Sequence, residues 1–86
     1  MEIKITGHII EKGNNGDTFY FIIKTENNVI YKANNCKIVT TTPECMTEGC
    51  ICFSGNIEFK KEGLFQIIAV VLWIDSDLNC VLVYKE

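Results

Sequence analysis

Residues 2–34 read EIKITGHIIEKGNNGDTFYFIIKTENNVIYKAN, three alternating apolar runs separated by two clusters rich in Gly, Asn and acidic residues. In the first run Ile3, Ile5 and Ile9 share one side of an extended chain, and Lys4, Thr6 and His8 the other. That period of two is the mark of a half-buried strand. Gly7 sits within it, where a missing side chain marks a bulge or bend; a long first strand that must serve both sides of a barrel needs such a residue. Gly13 to Asp17 forms a turn, because Gly and Asn tolerate positive φ. Thr18–Thr25 is the second strand. Phe19, Phe21 and Ile23 are expected inward and Tyr20, Ile22 and Lys24 outward, since Lys24 should reach water. Glu26 to Asn28 makes a hairpin turn, and the third strand, VIYKAN, sets Val29, Tyr31 and Ala33 against Ile30, Lys32 and Asn34.

Beyond Val39 the alternation stops. TTTPECMTEG carries Pro43 and four threonines, and leaves room for one helical turn at most, over 44–47. CICFSGNIEF then reads as a fourth strand with Gly55 as a second bulge, Lys60 to Gly63 as a turn, LFQIIAVVLWI as a fifth strand and CVLVYK as a short sixth. Three strands on tight turns, a longer connection crossing the barrel end, and a hairpin describe a five-stranded Greek-key barrel with an extra C-terminal strand. Residues 1–86 form one all-β domain. A closed barrel also removes the exposed edges of an open sheet. An SH3-like barrel and half of an open sandwich are the competing architectures.

Two segments resemble the oligonucleotide/oligosaccharide-binding (OB) fold of the single-stranded DNA-binding and replication protein A-like group. ITGHIIEKGNNGDTFYFIIKTENNVIYKAN is similar to its first three strands, and GCICFSGNIEFKKEGLFQIIAVVLWID to its last hairpin. The resemblance implies a binding face across the second and third strands holding Tyr20, Ile22, Lys24, Lys32 and Asn34. Lys12, Asn14 and Asn15 would join it from the first loop, and Lys60, Lys61 and Gln66 from the last hairpin. An outward aromatic is a stacking platform for a base, and lysines beside it follow the phosphates. The expected activity is single-stranded nucleic-acid binding, DNA ahead of RNA, in replication, recombination or repair.

Composition bounds that expectation. The chain has 86 residues, 48% hydrophobic, with 11 acidic residues against 8 lysines and no arginine. Bidentate arginine contacts to phosphate or guanine are therefore absent, which counts against a sequence-reading duplex binder and leaves room for a single-strand binder with a locally basic groove. The alternative is an OB-fold interaction subunit, homodimeric or part of a larger complex, without direct nucleic-acid contact. Its motive is the apolar finish: Val70, Leu72, Trp73, Val81, Val83 and Tyr84 exceed what one side of a small interior takes, and exposed surplus of that kind marks an interface. Self-association or a protein partner would use these C-terminal strands.

Other chemistry is weaker. Cys36, Cys45, Cys50, Cys52 and Cys80 lack the paired C-x2-C spacing of a zinc site, and small buried hydrophobes explain most of them. A Cys36–Cys45 disulfide ranks lower still. His8 is the only histidine and assembles with no nucleophile; Asp75 and Asp77 read as turn residues; GNNGD precedes a strand, so it is not a phosphate loop. No enzyme activity, cofactor or metal is expected. MEIKITGHII lacks the continuous apolar stretch of a signal peptide, and Ile67 to Ile74 is too short for a membrane helix. The expected location is cytoplasmic, with no membrane partner.

Overall fold

Each tight turn turns on a residue at positive φ: Gly16 at 64°, Asn28 at 61°, Glu62 and Gly63 at 53° and 78°, and Leu78 at 64°. Between them run β1 (Glu2–Asn15), β2 (Thr18–Thr25), β3 (Ile30–Ile38), β4 (Ile51–Lys61), β5 (Leu64–Ile74) and β6 (Asn79–Lys85). The structure is a computed structural model that describes residues 1–39 and 50–85, the side chains at 60 and 61 excepted. The helical turn expected over 44–47 lies outside the described residues. Glu62-Gly63, both at positive φ, closes the β4–β5 hairpin as a two-residue loop, the turn whose twist matches that of its strands.

The six strands form a closed antiparallel barrel in the order β1-β2-β3-β4-β5-β6, with β6 returning to β1. The all-β barrel expectation holds, and the five-stranded Greek-key expectation does not. β3 pairs directly with β4, from Lys32 opposite Glu58 to Ile38 opposite Phe53. The long connection therefore joins neighbours instead of crossing the barrel end. Nor is the last strand an appendage: β6 lies between β5 and β1 and closes the circle. Alternation tells which face a residue takes, but not which strand lies alongside, and this is where the two arrangements part.

Both mid-strand glycines sit at crowded points, although neither is itself the bulge. Gly7 is where β1 changes partners, facing Thr25 of β2 on one side and Cys80 of β6 on the other. The bulge follows at Ile10, between Ile9 and Glu11. Gly55 runs in regular register with Val70, while the irregularity lies opposite it in β3, between Asn34 and Lys37. There Asn35 takes φ 54°. A Cβ on Gly55 would come within 2.6 Å of Cys36 Sγ and 2.8 Å of the Asn34 carbonyl oxygen. Glycine lets β4 pass under that bulge.

The core follows the inward positions. Phe19, Phe21 and Ile23 face it as expected, with Phe21 and Ile23 buried. Phe53 meets both phenylalanines edge-on, with ring centroids 5.7 Å from Phe19 and 4.9 Å from Phe21. Leu72 of β5 faces Phe53 on one side and Leu82 on the other, and Leu82 faces Ile5. Burying a leucine of this kind stabilises by about 1.5–3 kcal/mol. Cys36, Cys52 and Cys80 are free and buried, so the Cys36–Cys45 bridge does not form. Cys50 is disulfide-bonded.

Candidate functional site

The outer face of β2 and β3 gathers part of the expected site. Tyr20, Ile22 and Lys24 point outward, Ile22 faces Lys32, and Lys24 faces Ile30. Asn34, opposite Asn56, belongs to the same surface. Carboxylates are interleaved with these groups: Glu11 lies opposite Ile22, and Glu58 opposite Lys32. Across β1 to β4 the row reads Glu11, Ile22, Lys32, Glu58, with one lysine between two carboxylates. Tyr20 is half-buried, because its ring lies over Gly13, where a Cβ would meet it at 2.4 Å.

Other expected members lie elsewhere. Lys12, Asn14 and Asn15 belong to β1 itself, opposite Phe21, Phe19 and Thr18. Lys12 and Asn14 thus take the inward-facing side, yet stay exposed, since β6 pairs with β1 only as far as His8. Gln66 is half-buried and opposite Phe59, on the side of β5 that carries Ile68 and Val70 into the barrel. It does not share the outer face with Tyr20. Lys60 and Lys61 continue β4 opposite Phe65 and Leu64; their side chains lie outside the described residues.

The surplus apolar surface lies only in part where the sequence puts it: Trp73, Val81 and Val83 share the outer side of β5 and β6 with Val71, half-buried. Val70 and Leu72 are in the core, and Tyr84 packs against it with its ring 6.3 Å from that of Phe59. On β5 the exposed residues are Leu64 (66% exposed), Phe65 (59%), Ile67 (60%) and Val71, while Ile10, Val29, Ile30, Ile38 and Ile51 are exposed elsewhere; exposed Ala69 lies among the β5 group. Phe65, Ile67, Ala69 and Val71 form one outward row along β5, and half-buried Val83 of β6 lies beside Val71. The signal was present in LFQIIAVVLWI, since a near-continuous apolar run belongs to a strand covered on both faces. Here the barrel covers only one.

A groove of about 680 Å³ opens near the Gly7 crossover, lined by Thr6, His8, Lys24, Trp73, Asn79 and Cys80 among others. His8 Nδ1 lies 3.2 Å from Asn79 Oδ1. Asp75 Oδ1 accepts hydrogen bonds from the backbone N–H groups of Asp77 and Asn79, each at 2.9 Å, so Asp75 holds the β5–β6 turn as an Asx turn. Burial pushes the Cys80 thiol up to about 11. It stays protonated at neutral pH and is a poor nucleophile. Trp73 Nε1 is buried without a hydrogen-bond partner among the described residues.

The class defined by these features is a small closed antiparallel β-barrel with one outer strand left apolar. No family model matches the chain, and no curated protein or solved structure matches it either.

Proposed function

We propose that this barrel is an interaction subunit that self-associates through β5. The observation that carries the reading is the outward row Phe65, Ile67, Ala69 and Val71, the uncovered side of a strand with the sequence of a doubly covered one. Solvent-exposed apolar rows of this kind are what protein interfaces cover. Sedimentation equilibrium from micromolar to millimolar concentration tests it. A reversible oligomer that becomes monomeric in the double variant Phe65→Lys/Ile67→Lys, with its thermal transition kept, supports the reading. A monomer throughout contradicts it.

A second reading rests on a separate observation: Tyr20, Ile22, Lys24, Lys32 and Asn34 do share the outer surface of β2 and β3. A single strand of nucleic acid laid there would stack on Tyr20 and meet Lys24 and Lys32. Fluorescence anisotropy with labelled oligo-dT tests it. Binding that weakens with salt and is lost in Lys24→Glu/Lys32→Glu supports the reading, and no binding at low salt removes it. The interleaved Glu11 and Glu58 rank it second.

A further inference from the structure

We infer that the groove at the Gly7 crossover takes up a base of a single nucleic-acid strand, which reaches it along a polar row crossing β2, β1 and β6. This rests on the nucleic-acid reading above and specifies where the strand runs. Register defines the row: Lys24 faces His8, and His8 faces Asn79. All three are exposed, and Lys24 is in no ion pair among the described residues. Exposed Ile30 extends the row onto β3, opposite Lys24. From Ile30 to Asn79 this course carries a lysine and no carboxylate. The neighbouring course through Ile22 carries Glu11 and Glu58 around Lys32. A phosphate backbone laid across the strands therefore meets less repulsion over His8 than over Ile22.

A second row runs beside the first on the same outer face, two residues along each strand: Thr6 of β1, Val81 of β6 and Trp73 of β5. Two residues of extended chain set the rows about 7 Å apart. A nucleotide with its phosphate over His8 and Asn79 then lays its base over Val81 and Trp73. Half-buried Trp73 supplies the aromatic surface on which a base stacks. The groove these rows line holds about 680 Å³, the size of a small-molecule site. None of Phe65, Ile67, Ala69 and Val71 lines it, so the groove and the self-association row are separate surfaces.

The polar groups around the groove suit a base better than a bare anion. With His8 Nδ1–H donating to Asn79 Oδ1 at 3.2 Å, both amide N–H groups of Asn79 remain to donate. Glu26 and Asp75 also line the groove. Asp75 commits Oδ1 to two backbone N–H groups, which leaves Oδ2 to accept. A bare anion would meet both carboxylates as well as Lys24. A base offers N–H and C=O groups on one flat ring, and so can use donors and acceptors together.

Trp73 is the chain's single tryptophan, so its fluorescence reports on this groove. Titrating oligo-dT into the wild-type protein at low salt should quench it to saturation, at the Kd that anisotropy of the labelled strand gives. Trp73→Leu should weaken binding by about tenfold or more, while Trp73→Phe, which keeps a stacking ring, holds most of it. His8→Glu places a carboxylate under the phosphates and should also weaken binding by about tenfold or more, whereas Lys32→Glu alone should change it little. Thermal unfolding shows which variants keep the fold. Should Trp73→Leu lose it, wild-type quenching and His8→Glu, at an exposed position, carry the test. An unquenched Trp73 at saturation, or binding that Lys32→Glu weakens and His8→Glu does not, overturns the groove path while leaving nucleic-acid binding standing. No binding at low salt overturns both.

Discussion

Replacing Gly55 with alanine places a methyl group where three atoms already stand: Cys36 Sγ at 2.6 Å, the Asn34 carbonyl oxygen at 2.8 Å and Cys36 Cα at 3.0 Å. Two of the three are backbone atoms of the β3 bulge, so no rotamer change clears the space. Overpacking of this kind costs about 1–3 kcal/mol, and the backbone contacts place Gly55→Ala at the upper end, about 2–3 kcal/mol. For a domain of this size that lowers the melting temperature by about 10–20 °C. Circular dichroism against temperature, with denaturant titration for the free energy, reads it. Adding Cys36→Ala removes Sγ but leaves the carbonyl, so the double variant should recover part of the loss, a coupling of about 1 kcal/mol. Gly63→Ala is the contrast. Its φ is 78° with nothing within 4 Å, so it carries only the conformational cost of about 1 kcal/mol. Gly55→Ala melting within a degree or two of wild type would refute the claim that the Asn35 bulge presses on β4.

Further outcomes follow from the same contacts. Leu72→Ala, at a fully buried site, should cost about 2–5 kcal/mol in a denaturant titration. Tyr20→Ala uncovers Gly13 and should lower the thermal transition, so Lys24 and Lys32 are the cleaner probes of nucleic-acid binding. Burial pushes Cys36 up to about 11 from 9.0, and Cys80 likewise. Both thiols are neutral in either state below pH 9. Above it the unfolded chain ionises first, so stability falls between pH 9 and 11, by up to about 1.4 kcal/mol per thiol per pH unit. Stability that is flat across that window would contradict their burial. Trp73→Phe removes the unpartnered indole N–H, an unsatisfied group costing about 1–3 kcal/mol; the change should therefore be close to neutral in stability despite the smaller ring.

Local chemistry was legible and pairing was not. The facings of Phe19 to Lys24 followed from alternation and the solvation of one lysine. Gly7 was recognisable as the residue that lets β1 serve two neighbours, but Ile10, with no special side chain, carries the bulge. Gly55 marked irregularity correctly and placed it on the wrong strand, because glycine is needed under a bulge as much as within one. The Greek-key expectation failed at the long connection, whose polar sequence is equally suited to crossing the barrel end or joining neighbours. Gln66 was assigned to an outer face it does not share, since a polar residue within an apolar run gives no facing by itself. The apolar surplus was visible as a quantity. Its location on Phe65, Ile67 and Val71 required the phase of β5, which Val70, Leu72 and Ile74 set by entering the core.

The proposal that matters most is self-association through the outward row of β5. Sedimentation equilibrium of the unaltered protein tests it most directly. Self-association gives a concentration-dependent rise from the 9.8 kDa chain mass towards twice that value, abolished by Phe65→Lys/Ile67→Lys. A single species at the chain mass up to millimolar concentration would contradict it.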